Sequence, residues 1–117
     1  SQFPPGDNCF ILEDNTIQPY TKIGNNVVLW SGNHIGHDVT IEDHCYITSH
    51  VVISGFVNIK QNCFLGVNAA LRDGITIARE TLIGAGAVIM NDTIEKGVYL
   101  PPRSVLIEKK SDEVVIS

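Results

Sequence analysis

Charged side chains are scarce in this sequence of 117 residues. Asp, Glu, Lys and Arg make up 18% of the residues, below the roughly 25% of an average soluble domain, and the Lys and Arg residues form no cluster. With a formal net charge of −5, the sequence lacks the basic patch that binds nucleic acid or an anionic membrane surface. We therefore predict neither partner. Because apolar residues reach 44%, we expect another subunit to cover part of the surface.

The sequence also lacks a long apolar run and a signal peptide, so we predict neither a membrane span nor export. Its three cysteines, Cys9, Cys45 and Cys63, have no metal-binding spacing, and an odd number leaves at least one of them unpaired. We interpret them as free thiols, with Cys45 and Cys63 buried, and predict a cytoplasmic location.

What the sequence does contain is a repeat: an aliphatic residue falls at every sixth position, fourteen times in succession. These residues are Ile11, Ile17, Ile23, Leu29, Ile35, Ile41, Ile47, Ile53, Ile59, Leu65, Leu71, Ile77, Ile83 and Ile89. A unit this short cannot bury its apolar side chain alone, so the units must stack on one another. The period predicts one all-β domain, a parallel β-helix of hexapeptide repeats with four to five triangular coils.

The repeat divides the chain into three parts. Residues 1–10 contain two prolines and a glycine and are predicted to be a lead-in segment. Residues 11–100 form the predicted β-helix. Residues 101–117 are a short C-terminal tail, whose apolar–charged–apolar pattern fits either a strand pair or a short helix.

Three hexapeptides in each coil place residues eighteen apart above one another, about 4.8 Å away, and give the prism three edges. One edge is polar and is expected to face water; it carries Asn25-Asn26, Asp43-His44, Gln61-Asn62 and Arg79-Glu80. The other two edges are richer in small residues, which allow a ligand or a subunit to approach the backbone closely.

Among the four histidines, His34, His37, His44 and His50, we favour His37 as a general base. Imidazole titrates near neutral pH, and the neighbouring Asp38 can orient the ring and stabilise its protonated form. Gly55 lies eighteen positions after His37, so its backbone N–H is expected one coil away, where it could bond the oxygen of a thioester carbonyl. The alternative is an exposed surface histidine beside a turn glycine.

A second column of small residues is made by Gly66, Gly84, Ala85 and Gly86, since Gly66 precedes Gly84 by eighteen positions. This column could form a groove for a long, thin ligand, or could simply provide tight turns and flat packing between subunits. Trp30 and Phe56 are predicted at outward positions, where we favour a subunit contact over stacking on a ligand.

Three stretches of the sequence resemble the bacterial hexapeptide-repeat acyltransferases, and among them the nucleotide-sugar acetyltransferases. They are Ile35-Gly36-His37-Asp38, the segment from Ile53-Ser54-Gly55 to Gly66-Val67-Asn68, and Ile83 to Ile89. The resemblance implies a left-handed β-helix assembled as a homotrimer. It also implies transfer of an acetyl group from acetyl-CoA to an amine or hydroxyl of a nucleotide-linked sugar, without a metal.

By the same resemblance, His37 corresponds to the base, Asp38 to its orienting acid, and Gly55 to the amide that receives the thioester carbonyl. Gly66, Gly84, Ala85 and Gly86 correspond to the acetyl-CoA groove between subunits. The sequence departs from that branch at its N-terminal side, where only ten residues precede Ile11 in place of a sugar-nucleotide domain. It departs again at Leu100-Pro101-Pro102, where the branch has a Gly-x-Pro-Ala turn.

Two other functions are compatible with the repeat. One is a non-catalytic trimeric scaffold within a larger protein. The other is a zinc enzyme similar to the hexapeptide carbonic anhydrases, which use two histidines five residues apart. No pair of histidines here has that spacing, so this function is disfavoured.

Overall fold

A computed structural model describes residues 3–115, and its chain winds into three parallel sheets. Each hexapeptide contributes one two-residue strand. The strands are β1 (Phe10–Ile11), β2 (Thr16–Ile17), β3 (Lys22–Ile23), β4 (Val28–Leu29), β5 (His34–Ile35), β6 (Thr40–Ile41), β7 (Tyr46–Ile47), β8 (Val52–Ile53), β9 (Asn58–Ile59), β10 (Phe64–Leu65), β11 (Ala70–Leu71), β12 (Thr76–Ile77), β13 (Leu82–Ile83), β14 (Val88–Ile89) and β15 (Val98–Tyr99).

Strands three apart in the chain pair side by side. Sheet A is β1-β4-β7-β10-β13-β15, sheet B is β2-β5-β8-β11-β14, and sheet C is β3-β6-β9-β12. The registers join residues eighteen apart, as in Phe64↔Leu82, and this confirms the triangular stacking predicted from the period. The fold is a parallel β-helix, and its features agree with the left-handed form that we expected.

The second residue of each strand from β1 to β14 is the aliphatic residue of the repeat, and it points into the prism. From Leu29 to Ile83 these side chains are at most 1% exposed. Burying one such side chain contributes about 1.5–3 kcal/mol, so the column of aliphatic residues supplies most of the core. At the open N-terminal end Ile11, Ile17 and Ile23 are only partly buried.

The turns at the three edges share one backbone conformation. The second residue of each turn pair has a positive φ, as in Asn26 (56°), Asp38 (56°) and His44 (63°). Asn, Asp and Gly tolerate this left-handed conformation best, and most of the turn positions carry one of them. The conformation turns the chain from one sheet to the next.

The last coil is shorter than the others. Leu82 pairs with Val98, sixteen positions on, whereas all the earlier pairs are eighteen apart. Thr93 turns inward here, and its hydroxyl accepts the Ala78 N–H at 2.8 Å where sheet C has no further strand. The regular six-residue repeat therefore ends in this coil, near Asp92.

After Tyr99 the chain continues as an extended segment with one short 3-10 turn at Ser111–Glu113. The sequence pattern suggested a strand pair or a short helix for the tail. Within residues 101–115 there is no strand, and the helical structure is limited to this three-residue turn. Its apolar residues Val105, Leu106 and Ile107 are exposed. The second apolar part of the tail pattern, Val114-Val115-Ile116, lies partly outside the described residues. None of the helical structure in residues 3–115 is long and apolar enough to cross a membrane.

Candidate active site

The edge between sheets B and C carries the predicted base. The chain leaves β5, passes Gly36, and turns through His37 and Asp38. The His37 Nδ1 lies 3.0 Å from the Asp38 Oδ2, with the two side chains 50% and 41% exposed. A carboxylate can only accept a hydrogen bond, so neutral His37 carries its proton on Nδ1. Its Nε2 is then left with a lone pair that can accept a proton.

Gly55 occupies the same turn position one coil further on. The Phe56 N–H donates to the His37 carbonyl at 3.0 Å, which fixes this register. A Cβ built on Gly55 would lie 3.0 Å from both the Cε1 and the Nε2 of His37. The imidazole therefore lies directly over the glycine, and the predicted proximity of His37 and Gly55 is what the structure shows.

The backbone N–H of Gly55 donates to no acceptor among residues 3–115. Gly36 helps to keep the two coils this close, because a Cβ at that position would lie 2.7 Å from the Gly55 nitrogen. A proton acceptor (Nε2 of His37) and an N–H donor without an acceptor among the described residues (Gly55) thus belong to residues in contact at one exposed edge. Such a pair can take a proton from a nucleophile and stabilise an oxyanion.

The small-residue column lies at a different edge, between sheets A and B. Gly66 packs against the next coil, where a Cβ would lie 2.5 Å from the Ala85 nitrogen, and Gly86 has a φ of 75° with open space around it. An open groove of about 430 Å³ adjoins Gly86. It is lined by Gly86, Ala87, Val88, Ile89, Tyr99, Leu100, Pro101 and Pro102.

Within one protomer the structure does not bring this groove next to His37. The outer face of sheet B separates the two edges, and six residues of extended chain span on the order of 20 Å. The small residues Gly66, Gly84, Ala85 and Gly86 therefore cannot all surround the same ligand atom as His37 in a single chain. A ligand must either cross sheet B or lie between two protomers.

The other histidines are spread over separate places. His34 lies on the outer face of sheet B, His44 at the edge between sheets C and A, and His50 at the edge between sheets A and B, against Gly32. Within the described part of the chain, no three His, Cys, Asp or Glu side chains are grouped as metal ligands.

The cysteines form part of the interior. Cys45 and Cys63 are buried, and their thiols donate to the carbonyls of Lys60 and Ala78 at 3.1 Å. The hydrogen bond with Cys63, together with burial, raises the pKa of the Cys45 thiol. Cys9 is half-buried. All three are free thiols, as predicted, and the raised pKa of Cys45 disfavours the thiolate that nucleophilic chemistry at this residue would need.

Phe56 is the residue of this site that the sequence analysis did not connect with His37. Its ring meets the imidazole edge-on, with 4.9 Å between centroids and an interplanar angle of 90°. The signal was present in the sequence, because Phe56 lies eighteen positions after Asp38. Trp30, by contrast, donates its indole N–H to the Tyr46 hydroxyl at 2.6 Å.

Comparison with known proteins agrees with this architecture. Residues 20–55 match the family pattern described as bacterial transferase hexapeptide (six repeats). This match lies within the six-residue repeat of the sequence. The fold of the chain is shared with perosamine N-acetyltransferase from Caulobacter crescentus, a histidine-to-asparagine variant solved with CoA and GDP-perosamine. The TM-score is 0.80 at 22% identity, over 83% of this chain and 47% of that one.

Two further matches extend the comparison. An aspartate-to-alanine variant of AntD, an N-acyltransferase from Bacillus cereus solved with dTDP and coenzyme A, has a TM-score of 0.58 at 16% identity. The alignment covers 92% of this chain and 85% of AntD. Acyl-[acyl-carrier-protein]–UDP-N-acetylglucosamine O-acyltransferase from Sinorhizobium fredii is 24% identical over 100 residues. This chain spans 37% of that relative's length.

Proposed function

We propose that this protein is an acetyl-CoA-dependent acetyltransferase that acts on an amine or a hydroxyl of a nucleotide-linked sugar. The observation that carries the proposal is the His37 imidazole, held by Asp38 and lying against Gly55, whose N–H has no acceptor within residues 3–115. The similar proteins are acyltransferases, and two were solved with coenzyme A together with a nucleotide sugar or a nucleotide.

In the proposed reaction, the acceptor nitrogen or oxygen attacks the thioester carbonyl while the His37 Nε2 takes its proton. Negative charge develops on the carbonyl oxygen and is stabilised by the Gly55 N–H. Asp38 stabilises the imidazolium through Nδ1. When the C–S bond breaks, the CoA thiolate leaves and takes the proton from Nε2, so the imidazole is restored and the products are the acetylated sugar and free CoA.

We place the donor along the small-residue column at the edge between sheets A and B. Gly86 leaves the backbone open there, Gly66 packs closely against the Gly84-Ala85 turn of the next coil, and the adjoining groove reaches Tyr99 and the two prolines. Backbone amides along such a groove suit the amide-rich pantetheine arm of CoA. Because this edge is separated from His37 in one chain, the proposed site joins the groove of one protomer to the histidine of another.

A homotrimer is part of the same proposal. Its support is the outer face of sheet A, which is apolar in every strand: Phe10, Val28, Tyr46, Phe64, Leu82 and Val98. The outer face of sheet C carries Lys22, Thr40, Asn58 and Thr76 instead. An apolar face this extended is typical of a subunit interface. The cytoplasmic location and the division of the chain at residues 10 and 100 stay predictions.

Thiol release on mixing acetyl-CoA with an acceptor tests the proposed function. GDP-perosamine and dTDP-4-amino-4,6-dideoxyglucose serve as acceptor probes, with acetyl-CoA alone and acceptor alone as controls. CoA at 100 times its dissociation constant should also stabilise the fold by about 2.7 kcal/mol, measured as a rise in Tm. The absence of both thiol release and a Tm shift at millimolar CoA would overturn the proposal and favour a scaffold.

A further inference from the structure

An aromatic residue at Phe56 is unexpected on conformational grounds. Its φ is 61°, and a bulky side chain in this left-handed region is a true outlier, since the region costs roughly 1–2 kcal/mol for residues other than glycine. The residue one coil further on at the same place is Gly74, which adopts a φ of 74° without that cost. The left-handed turn belongs to the repeat, since Tyr20 and other turn residues share it, so what needs an explanation is the choice of an aromatic residue at Phe56.

The packing of Phe56 in the fold does little to offset this cost. Its side chain is 58% exposed, so burial cannot be what places an aromatic there. The aromatic contact that the ring makes is with His37, at 4.9 Å and perpendicular. Edge-to-face pairs of this kind have a defined geometry and contribute beyond the area they bury.

His37 needs such a contact. Asp38 holds Nδ1 from the adjacent residue, and Gly55 has no side chain to support the ring from the next coil. One hydrogen bond at the edge of a half-exposed imidazole fixes the tautomer but leaves the ring free to tilt about that bond. A second contact from a different direction removes this freedom.

The geometry points to Phe56 as a positioning residue that holds the His37 imidazole with Nε2 over Gly55, at the expense of backbone strain. This inference rests on the proposed function, in which Nε2 is the base. Phe56 acts through His37 and itself takes no proton. A shift of the base by even 1 Å can lower the rate about 100-fold, so removal of the contact is expected to lower kcat.

The experiment compares Phe56→Asn with Tyr20→Asn. Tyr20 lies at the same edge with a φ of 64° and is 50% exposed, but it makes no ring contact with His37 among the described residues. Asn accepts the left-handed conformation, so both variants relieve strain. We expect the Tm of Tyr20→Asn to rise by about 4 °C with kcat unchanged. Phe56→Asn should keep or raise its Tm and lose about 10-fold or more in kcat.

Three further readouts separate positioning from a general structural role. The KM for acetyl-CoA should stay within about twofold in Phe56→Asn. Phe56→Tyr should retain kcat, because the ring is preserved. In NMR spectra the ring resonances of His37 should change in Phe56→Asn but not in Tyr20→Asn.

Unchanged His37 resonances in Phe56→Asn would overturn the inference, and so would a kcat within twofold of the wild-type value. A loss of kcat that simply follows a fall in Tm would do so as well. If the wild-type protein transfers no acetyl group to either acceptor probe, the proposed function fails on its own. The His37 resonances and the Tm values then still decide whether Phe56 fixes the ring.

Discussion

Two edges of the prism carry the same pair of residue types in opposite order. The edge between sheets B and C has His37-Asp38, and the edge between sheets C and A has Asp43-His44. In the first pair the carboxylate lies on the neighbouring imidazole, at 3.0 Å. In the second, the Asp43 Oδ1 accepts the backbone N–H of Asn25 from the preceding coil at 2.7 Å. The aspartate contacts the neighbouring imidazole in one pair and the backbone of the preceding coil in the other.

The order of the residues explains this difference. The second residue of each pair takes the left-handed conformation, which is Asp38 at one edge and His44 at the other. The first residue lies against the neighbouring coil, and there Asp43 reaches a backbone donor. Asn25 does the same, accepting the N–H of Asp7 at 2.8 Å. With histidine in the first position and a glycine above it, the ring instead stays at the surface with Nε2 free.

The proposed difference between the two edges is tested most directly by replacing each histidine with alanine. His37→Ala should lower kcat about 100-fold or more, because a general base contributes 10²–10⁴-fold. His44→Ala, at the structural edge, should retain the wild-type rate. The measurement is thiol release from acetyl-CoA with the acceptor probes. Equal rates for the two variants would contradict the assignment of His37.

A smaller effect is expected at the residue above each pair, Gly55 at one edge and Gln61 at the other. The added methyl group in Gly55→Ala would lie 3.0 Å from the His37 ring, so the ring must shift, and kcat should fall about 10-fold. Gln61→Ala removes side-chain atoms at the matching position and should leave kcat unchanged. Steady-state kinetics of both variants provide the check; a fully active Gly55→Ala would mean that the ring position is not critical.

The smallest expected effect is on stability. Here a change at the edge between sheets C and A should matter, and the matching change at the edge between sheets B and C should not. Asp43→Ala removes the acceptor of the Asn25 N–H and should lower the free energy of unfolding by about 1 kcal/mol. Asp38→Asn keeps both the left-handed preference and a side-chain acceptor, so its stability should match the wild type. Chemical denaturation of the two variants measures this. A greater loss in Asp38→Asn would show that Asp38, too, is a structural residue.

Much of the proposed site could be predicted from the sequence because the six-residue period is rigid. Once residues eighteen apart are known to stack, the placement of Gly55 over His37 follows by counting, and so does that of Gly66 under Gly84. The contact of Phe56 with His37 did not follow. It depends on the direction that a ring takes from a strained turn, and counting supplies the neighbourhood but no side-chain orientation.

The tail and the last coil show where sequence periodicity stops being informative. The coil shortens by two residues near Asp92, and Thr93 replaces a strand by a side-chain hydrogen bond to Ala78. Past Tyr99 the apolar–charged–apolar pattern predicted regular structure, whereas residues 101–115 are extended with a single short turn. Local propensity there has no stacked coil to reinforce it.

The sequence by itself determined the fold of this protein, because a six-residue unit cannot bury its aliphatic side chain without stacking. It also determined that three edges exist and which residues share them. Only the tertiary structure decided what the two acid–histidine pairs do. The partner of each carboxylate is set by left-handed turn geometry and by the coil that lies against it. Composition and spacing do not show that the Asp38 carboxylate contacts His37 whereas the Asp43 carboxylate contacts Asn25.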